Sequence, residues 1–114
     1  MKQIILKTVT LQLENLKEEL SYKKLFLQLV EVFPEGIRAS EMGDAISISK
    51  KLQNATDDGS IFLENSEHSY LCTRFDNHRF GIAAPEIIEM REALFKAKDV
   101  ETPHLASVNN KKRA

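Results

Sequence analysis

His68 and Cys72 lie four positions apart, with His78 following, and imidazole and thiolate are the donors that zinc prefers. On a helix the first two share a face. Cys72 is the chain's one cysteine and there are three histidines in all, so neither a second thiol nor a close histidine pair completes four ligands. The expected reading is a partly buried thiol beside surface imidazoles, with no metal and no cofactor. A Cys–His nucleophile would need a helix N-terminus or cationic neighbours to lower the thiol pKa, and an oxyanion donor besides. Cys72 stands mid-segment between Leu71 and Thr73, a setting that favours neutral packing.

Carboxylates are plentiful, among them Glu18, Glu19, Glu41, Asp44, Asp57 and Asp58. Ordinary solvated charge accounts for them as well as an acid–base pair does. The chain carries no glycine-rich phosphate loop, metalloprotease helix motif or nucleophile elbow. The expectation is a protein that is not an enzyme.

Nucleic-acid binding is the alternative. Ala39 to Gln53 followed by Gly59-Ser60-Ile61-Phe62 has the outline of a helix-turn-helix leading into a wing. Arg38, Lys50 and Lys51 would then meet phosphate, helped by Lys111, Lys112 and Arg113 at the end of the chain. The register argues against it: with Ser47 at the turn, the residue four beyond Ser49 should be apolar but is Gln53, and Leu52 comes one place early. Sixteen basic residues against seventeen acidic ones give a net charge of -1, so the molecule lacks the positive field that steers proteins onto nucleic acid.

The elements that would position these groups follow from periodicity. Ile5 to Leu13 alternates with β-branched enrichment and predicts one strand, whose edges need either Ser60 to Leu63 or another chain. Ser21 caps a helix over about Tyr22–Phe33, with Leu20 and Leu25 spaced as a hydrophobic staple. Its apolar residues span more than one stripe, and Pro34 and Gly36 stop it. A second amphipathic helix runs over about Arg38–Asn54 with Met42, Ala45, Ile48 and Leu52 inward. Asp57-Asp58-Gly59 is a turn. Ser66 caps a third helix over about Glu67–Asn77, or else Ser60–Glu64 and Ser69–Phe75 form a hairpin. Pro85 opens a fourth helix, with Ile87, Met90, Leu94 and Ala97 as its inner stripe.

These elements define a mainly α (α+β) fold: a compact three- to four-helix domain with a short N-terminal strand over 1–98, followed by a flexible polar and basic tail over 99–114. A winged-helix-like arrangement is the alternative fold. At 42% hydrophobic and 29% charged, the chain has the composition of a folding domain. A single cysteine allows no internal disulfide, and no apolar run reaches the length of a signal peptide or membrane span. A cytoplasmic location is the expectation.

The order of segments resembles a loose group of small phage and prophage proteins of unassigned activity. The resemblance rests on Leu20-Ser21-Tyr22-Lys23-Lys24-Leu25, Lys50-Lys51-Leu52-Gln53-Asn54-Ala55, Ile61-Phe62-Leu63-Glu64 and Pro85-Glu86-Ile87-Ile88-Glu89-Met90, across roughly residues 4 to 97. It implies a virus-encoded accessory protein that binds a host or virion protein, located in the host cytoplasm. The residues alone give a consistent expectation: an interaction module, with Ile5, Val9, Leu11, Leu27 and Val30 as the apolar surface for a partner or for oligomerisation.

Overall fold

The alternating segment at the N-terminus is two strands, not one. The structure, a computed structural model, describes residues 1–13 and 16–100. It contains β1 (Lys2–Ile5), β2 (Thr8–Leu13), β3 (Leu16–Ser21), α1 (Tyr22–Glu31), α2 (Ala39–Gln53), β4 (Ser60–Leu63), α3 (Asn65–Asn77), α4 (Pro85–Phe95) and β5 (Lys98–Asp99). The expected Ile5–Leu13 strand breaks at Leu6 and Lys7. Leu6 is buried in the core and its N–H donates to Gly59 O at 2.8 Å, while Lys7 O accepts from Tyr22 N at 3.0 Å. These two residues carry the chain from one sheet to another.

In the first sheet β1 lies centrally, in the order β4-β1-β5, and pairs antiparallel with β4 through Ile4↔Ile61 and Lys2↔Leu63. Ile4, Ile61 and Leu63 therefore face the core, and the alternation turns Ile5 outward. In the second sheet β2 pairs with β3 through Val9↔Leu20. The Lys- and Glu-rich β3 has little intrinsic strand preference, and pairing with β2 overrides its composition. Residues 101–114 of the expected polar tail lie outside the described residues, and Asp99, expected as its first residue, instead pairs with Lys2, beside Lys98 on Gln3, as β5. A Lys2–Asp99 ion pair at 3.0 Å and the Val100 N–H on Met1 O at 2.8 Å fasten it. A short, charged edge strand of this kind resists further pairing.

Ser21 caps α1 as its sequence predicts, accepting from Lys24 N at 3.2 Å. The helix ends at Glu31 rather than Phe33 because Val32 is extended (φ -115°, ψ 118°) two residues before Pro34. Gly36 then takes φ 87° in the turn towards α2, a conformation that glycine adopts without strain. Arg74 of α3 satisfies the exposed end of α1: its Nε donates to Leu29 O at 2.9 Å and a terminal nitrogen to Val32 O at 3.3 Å, with the guanidinium over the Phe33 ring. A cation at the negative end of a helix is favourable.

Residues 60–75 form a strand followed by a helix, not a hairpin, and the helix is capped by Glu64 rather than Ser66. Glu64 and Glu67 make a reciprocal capping box, in which Glu67 Oε1 accepts from Glu64 N at 2.8 Å. The winged-helix alternative fails at the same place: Ser60-Ile61-Phe62 after Gly59 belong to β4, which pairs with β1 and runs directly into α3 in place of a second wing strand. The fold is a mainly helical α+β domain. Tyr22, Phe26, Leu29, Ile48, Leu52, Leu63, Leu71, Met90 and Leu94 are almost wholly buried in one core cluster shared by all four helices and the β1–β4 pair.

Candidate interaction surface

α1 and α2 run antiparallel, since Lys23 near the start of α1 donates to Ala55 O beyond the end of α2 at 2.8 Å, while the 32–38 connection joins their other ends. Near that connection the seam opens into a groove of about 430 Å³ lined by Val30, Phe33, Ile37, Met42, Ala45 and Ile46. Its rim carries Glu31, Ser49, Lys50 and Gln53. Glu31 Oε2 accepts from Ser49 Oγ at 2.5 Å and Gln53 Nε2 at 3.0 Å, so the carboxylate is held in place across the seam.

The helical period explains why the groove is apolar yet open. Ala45, Ile48 and Leu52 point into the core, while Met42 and Ile46 lie about a quarter turn to one side of them, toward α1. Met42 is 42% exposed and Ile46 54%, and Val32 beside the groove is 51% exposed. Large apolar side chains clustered around a recess mark binding surfaces more often than scattered ones do.

The groove includes only one of the five residues expected at an interface. Val30 forms part of its floor, at 3% exposure. Leu11 is interior at 4%, which corrects its assignment to a surface; the β2–β3 sheet lays it on the core. Val9 and Leu27 are half-buried against that core, and Ile5 is exposed away from the groove's lining. The residues that make the groove, Met42 and Ile46 above all, were available to sequence reading as a second stripe of α2, 42-46-49/50-53, beside the core stripe.

The expected phosphate contacts do not form one surface. Lys51 is committed inward, its Nζ donating to Glu67 Oε1 at 2.7 Å and Phe62 O at 2.8 Å. Lys50 is exposed on the groove rim and Arg38 is exposed at the N-cap of α2. Lys111, Lys112 and Arg113 lie outside the described residues. A second, more polar recess of about 470 Å³ lies between residues 33–36 and the end of α3, but its Arg74 is already bound to the α1 carbonyls.

His68 and Cys72 do share a face of α3, with Cys72 Sγ 3.5 Å from His68 Nε2. The same nitrogen lies 2.7 Å from Leu94 O. A carbonyl only accepts, so Nε2 carries the proton and donates it there, and it is not free to take one from the thiol. Burial, with the Asp76 charge next, pushes the Cys72 thiol up to about 11. His78 stands apart, edge-on to Phe80, and among the described residues no three His, Cys, Asp or Glu side chains converge on a metal-sized point. Cys72 will therefore react with iodoacetamide at pH 8 more slowly in the native protein than in urea by about tenfold or more, since the raised pKa lowers the thiolate fraction further than the greater nucleophilicity of a more basic thiolate restores, and burial limits access besides. Equal rates would contradict this environment.

Among the described residues no helix is long and apolar enough to cross a membrane. The fold and groove define a small α+β domain with an open apolar recess on one helix pair. No protein-family model, curated protein or solved structure matches the chain.

Proposed function

We propose that the protein is a non-enzymatic interaction module that binds another protein through the α1–α2 groove. The observation that carries the reading is an open recess lined by Val30, Phe33 and Ile37 together with the large, solvent-exposed Met42 and Ile46. A recess and anchor of this kind concentrate binding energy in a few apolar side chains surrounded by a polar rim. The resemblance of the segment order to small phage and prophage proteins supports an accessory role for a virus-encoded protein acting in the host cytoplasm, with a host or virion protein, or a further copy of the chain, as partner.

Ile46→Asp is the test, because a residue more than half exposed can be changed with little effect on the fold. The variant will keep the thermal midpoint of the wild type within about 2 °C. Immobilised on a support, it will lose the proteins that the wild type retains from host lysate and from disrupted virions. Identical retention by both would remove the groove from the account. A nucleic-acid regulator has less support, since Lys51 is held by Glu67 and no wing follows α2.

A further inference from the structure

We propose that the groove is occupied by a second copy of this chain, in a two-fold dimer whose axis runs along the groove and is parallel to α2. This inference rests on the reading of the groove as a protein-binding surface and names its occupant. Two features of the surface carry it. A two-fold interface uses the same patch twice, so the patch must contain both a projection and the recess that receives it. Here the exposed Met42 and Ile46 on the α2 bank are the apolar side chains within reach of a second copy, and the recess they line together with Val30, Phe33 and Ile37 is the space that would receive them.

The second feature is charge. Two charged residues line the groove, Glu31 on the α1 bank and Lys50 on the α2 bank. They stand at about the same level along it, because Glu31 bonds to Ser49 and Gln53, one residue before and three residues after Lys50 along the axis of α2. No ion pair joins the two within the chain among the described residues. A two-fold axis along the groove exchanges the banks and keeps the level, so it sets Lys50 of one copy opposite Glu31 of the other, twice. An axis across the groove would instead set each bank against its own kind. Glu31 remains able to accept a further bond, since a carboxylate offers about four acceptor positions and two of its bonds, both on Oε2, are made within the chain.

Charge reversal gives a direct test by light scattering and native mass spectrometry, with circular dichroism on each variant to show that it folds. The wild type will run at twice the 13.0 kDa chain mass at micromolar concentration. Lys50→Glu alone and Glu31→Lys alone will each weaken the dimer by about tenfold or more, because each places two like charges face to face. A mixture of the two variants will form a heterodimer, because both contacts then pair opposite charges. Glu31→Gln, which keeps the intramolecular acceptor, provides the check against loss of fold and will weaken the dimer less than reversal does. A wild type that stays monomeric at 100 μM overturns the dimer. In that event, partner retention lost in Ile46→Asp would leave the interaction reading standing, and unchanged retention would end both. A dimer indifferent to both reversals, or a mixture that remains monomeric, also overturns the proposed axis.

Discussion

Glu67→Ala will lower the stability of the protein by about 3 kcal/mol, the largest effect expected of any polar substitution. Glu67 is 5% exposed and closes three arrangements at once. It accepts from Glu64 N to start α3, from Lys51 Nζ at 2.7 Å and from Ser47 Oγ of α2. Removing the carboxylate leaves the Lys51 ammonium tethered beside Phe62 O without its counter-ion and unravels the first turn of α3. For a domain of this size each kcal/mol shifts the midpoint by about 4–8 °C, so thermal unfolding followed at 222 nm will move down by more than about 10 °C. Lys51→Met will cost less, about 2 kcal/mol, because that side chain is 30% exposed and partly hydrated. A shift under 3 °C for Glu67→Ala would show that the network contributes little.

The same carboxylate gives a pH signature. Burial opposes its ionisation, but hydrogen bonds from Lys51, Ser47 and the Glu64 amide outweigh burial and hold Glu67 below its ordinary value of 4.5. The unfolded chain therefore takes up the proton first as pH falls. The contribution is complete above that ordinary value and disappears as pH drops through the lower folded value. Wild type and Glu67→Gln will diverge in stability at pH 7 and converge at low pH.

Phe26→Ala will cost about 4 kcal/mol. Phe26 is 1% exposed at the centre of α1, edge-on to Tyr22 with ring centroids 6.0 Å apart. Its neighbours belong to several elements and cannot collapse into the space together, so a cavity term adds to the lost burial. Against a total stability of about 5–15 kcal/mol for such domains, the variant will be the most urea-sensitive of the core set. Urea midpoints for Phe26→Ala and Phe26→Leu measure it, and equal midpoints would mean that α1 is not central.

Three helices, α1, α2 and α4, were legible in the sequence because each announces itself locally, whereas over α3 the β-favouring Tyr70, Thr73 and Phe75 supported a hairpin equally well. Ser21 and Pro85 start α1 and α4, and Pro34 with Gly36 closes α1 off from α2. What escaped depends on partners distant in the chain. Leu16 to Ser21 becomes a strand only against β2, and Lys98 and Asp99 only against β1. Glu64 caps α3 in place of Ser66 because Glu67 returns to bond it, an arrangement in which Glu67 also needs Lys51 from another helix. The groove was half legible. The α2 pattern placed Met42 among inward residues, but whether a side chain at the margin of an apolar arc is covered depends on how far α1 extends beside it, and α1 stops two residues early. The same early stop at Val32 leaves Phe33 and Ile37 as walls of a recess.

Four isoleucines are open to solvent: Ile5 and Ile88 at 59%, Ile46 at 54% and Ile82 at 36%. A methyl spectrum of isoleucine-labelled protein, recorded as its concentration rises from micromolar to millimolar, reads all four faces at once. A working surface between α1 and α2 predicts that the Ile46 methyl signal moves or broadens while Ile5, Ile82 and Ile88 hold their positions. Movement at Ile5 or Ile88 with Ile46 unchanged would contradict it.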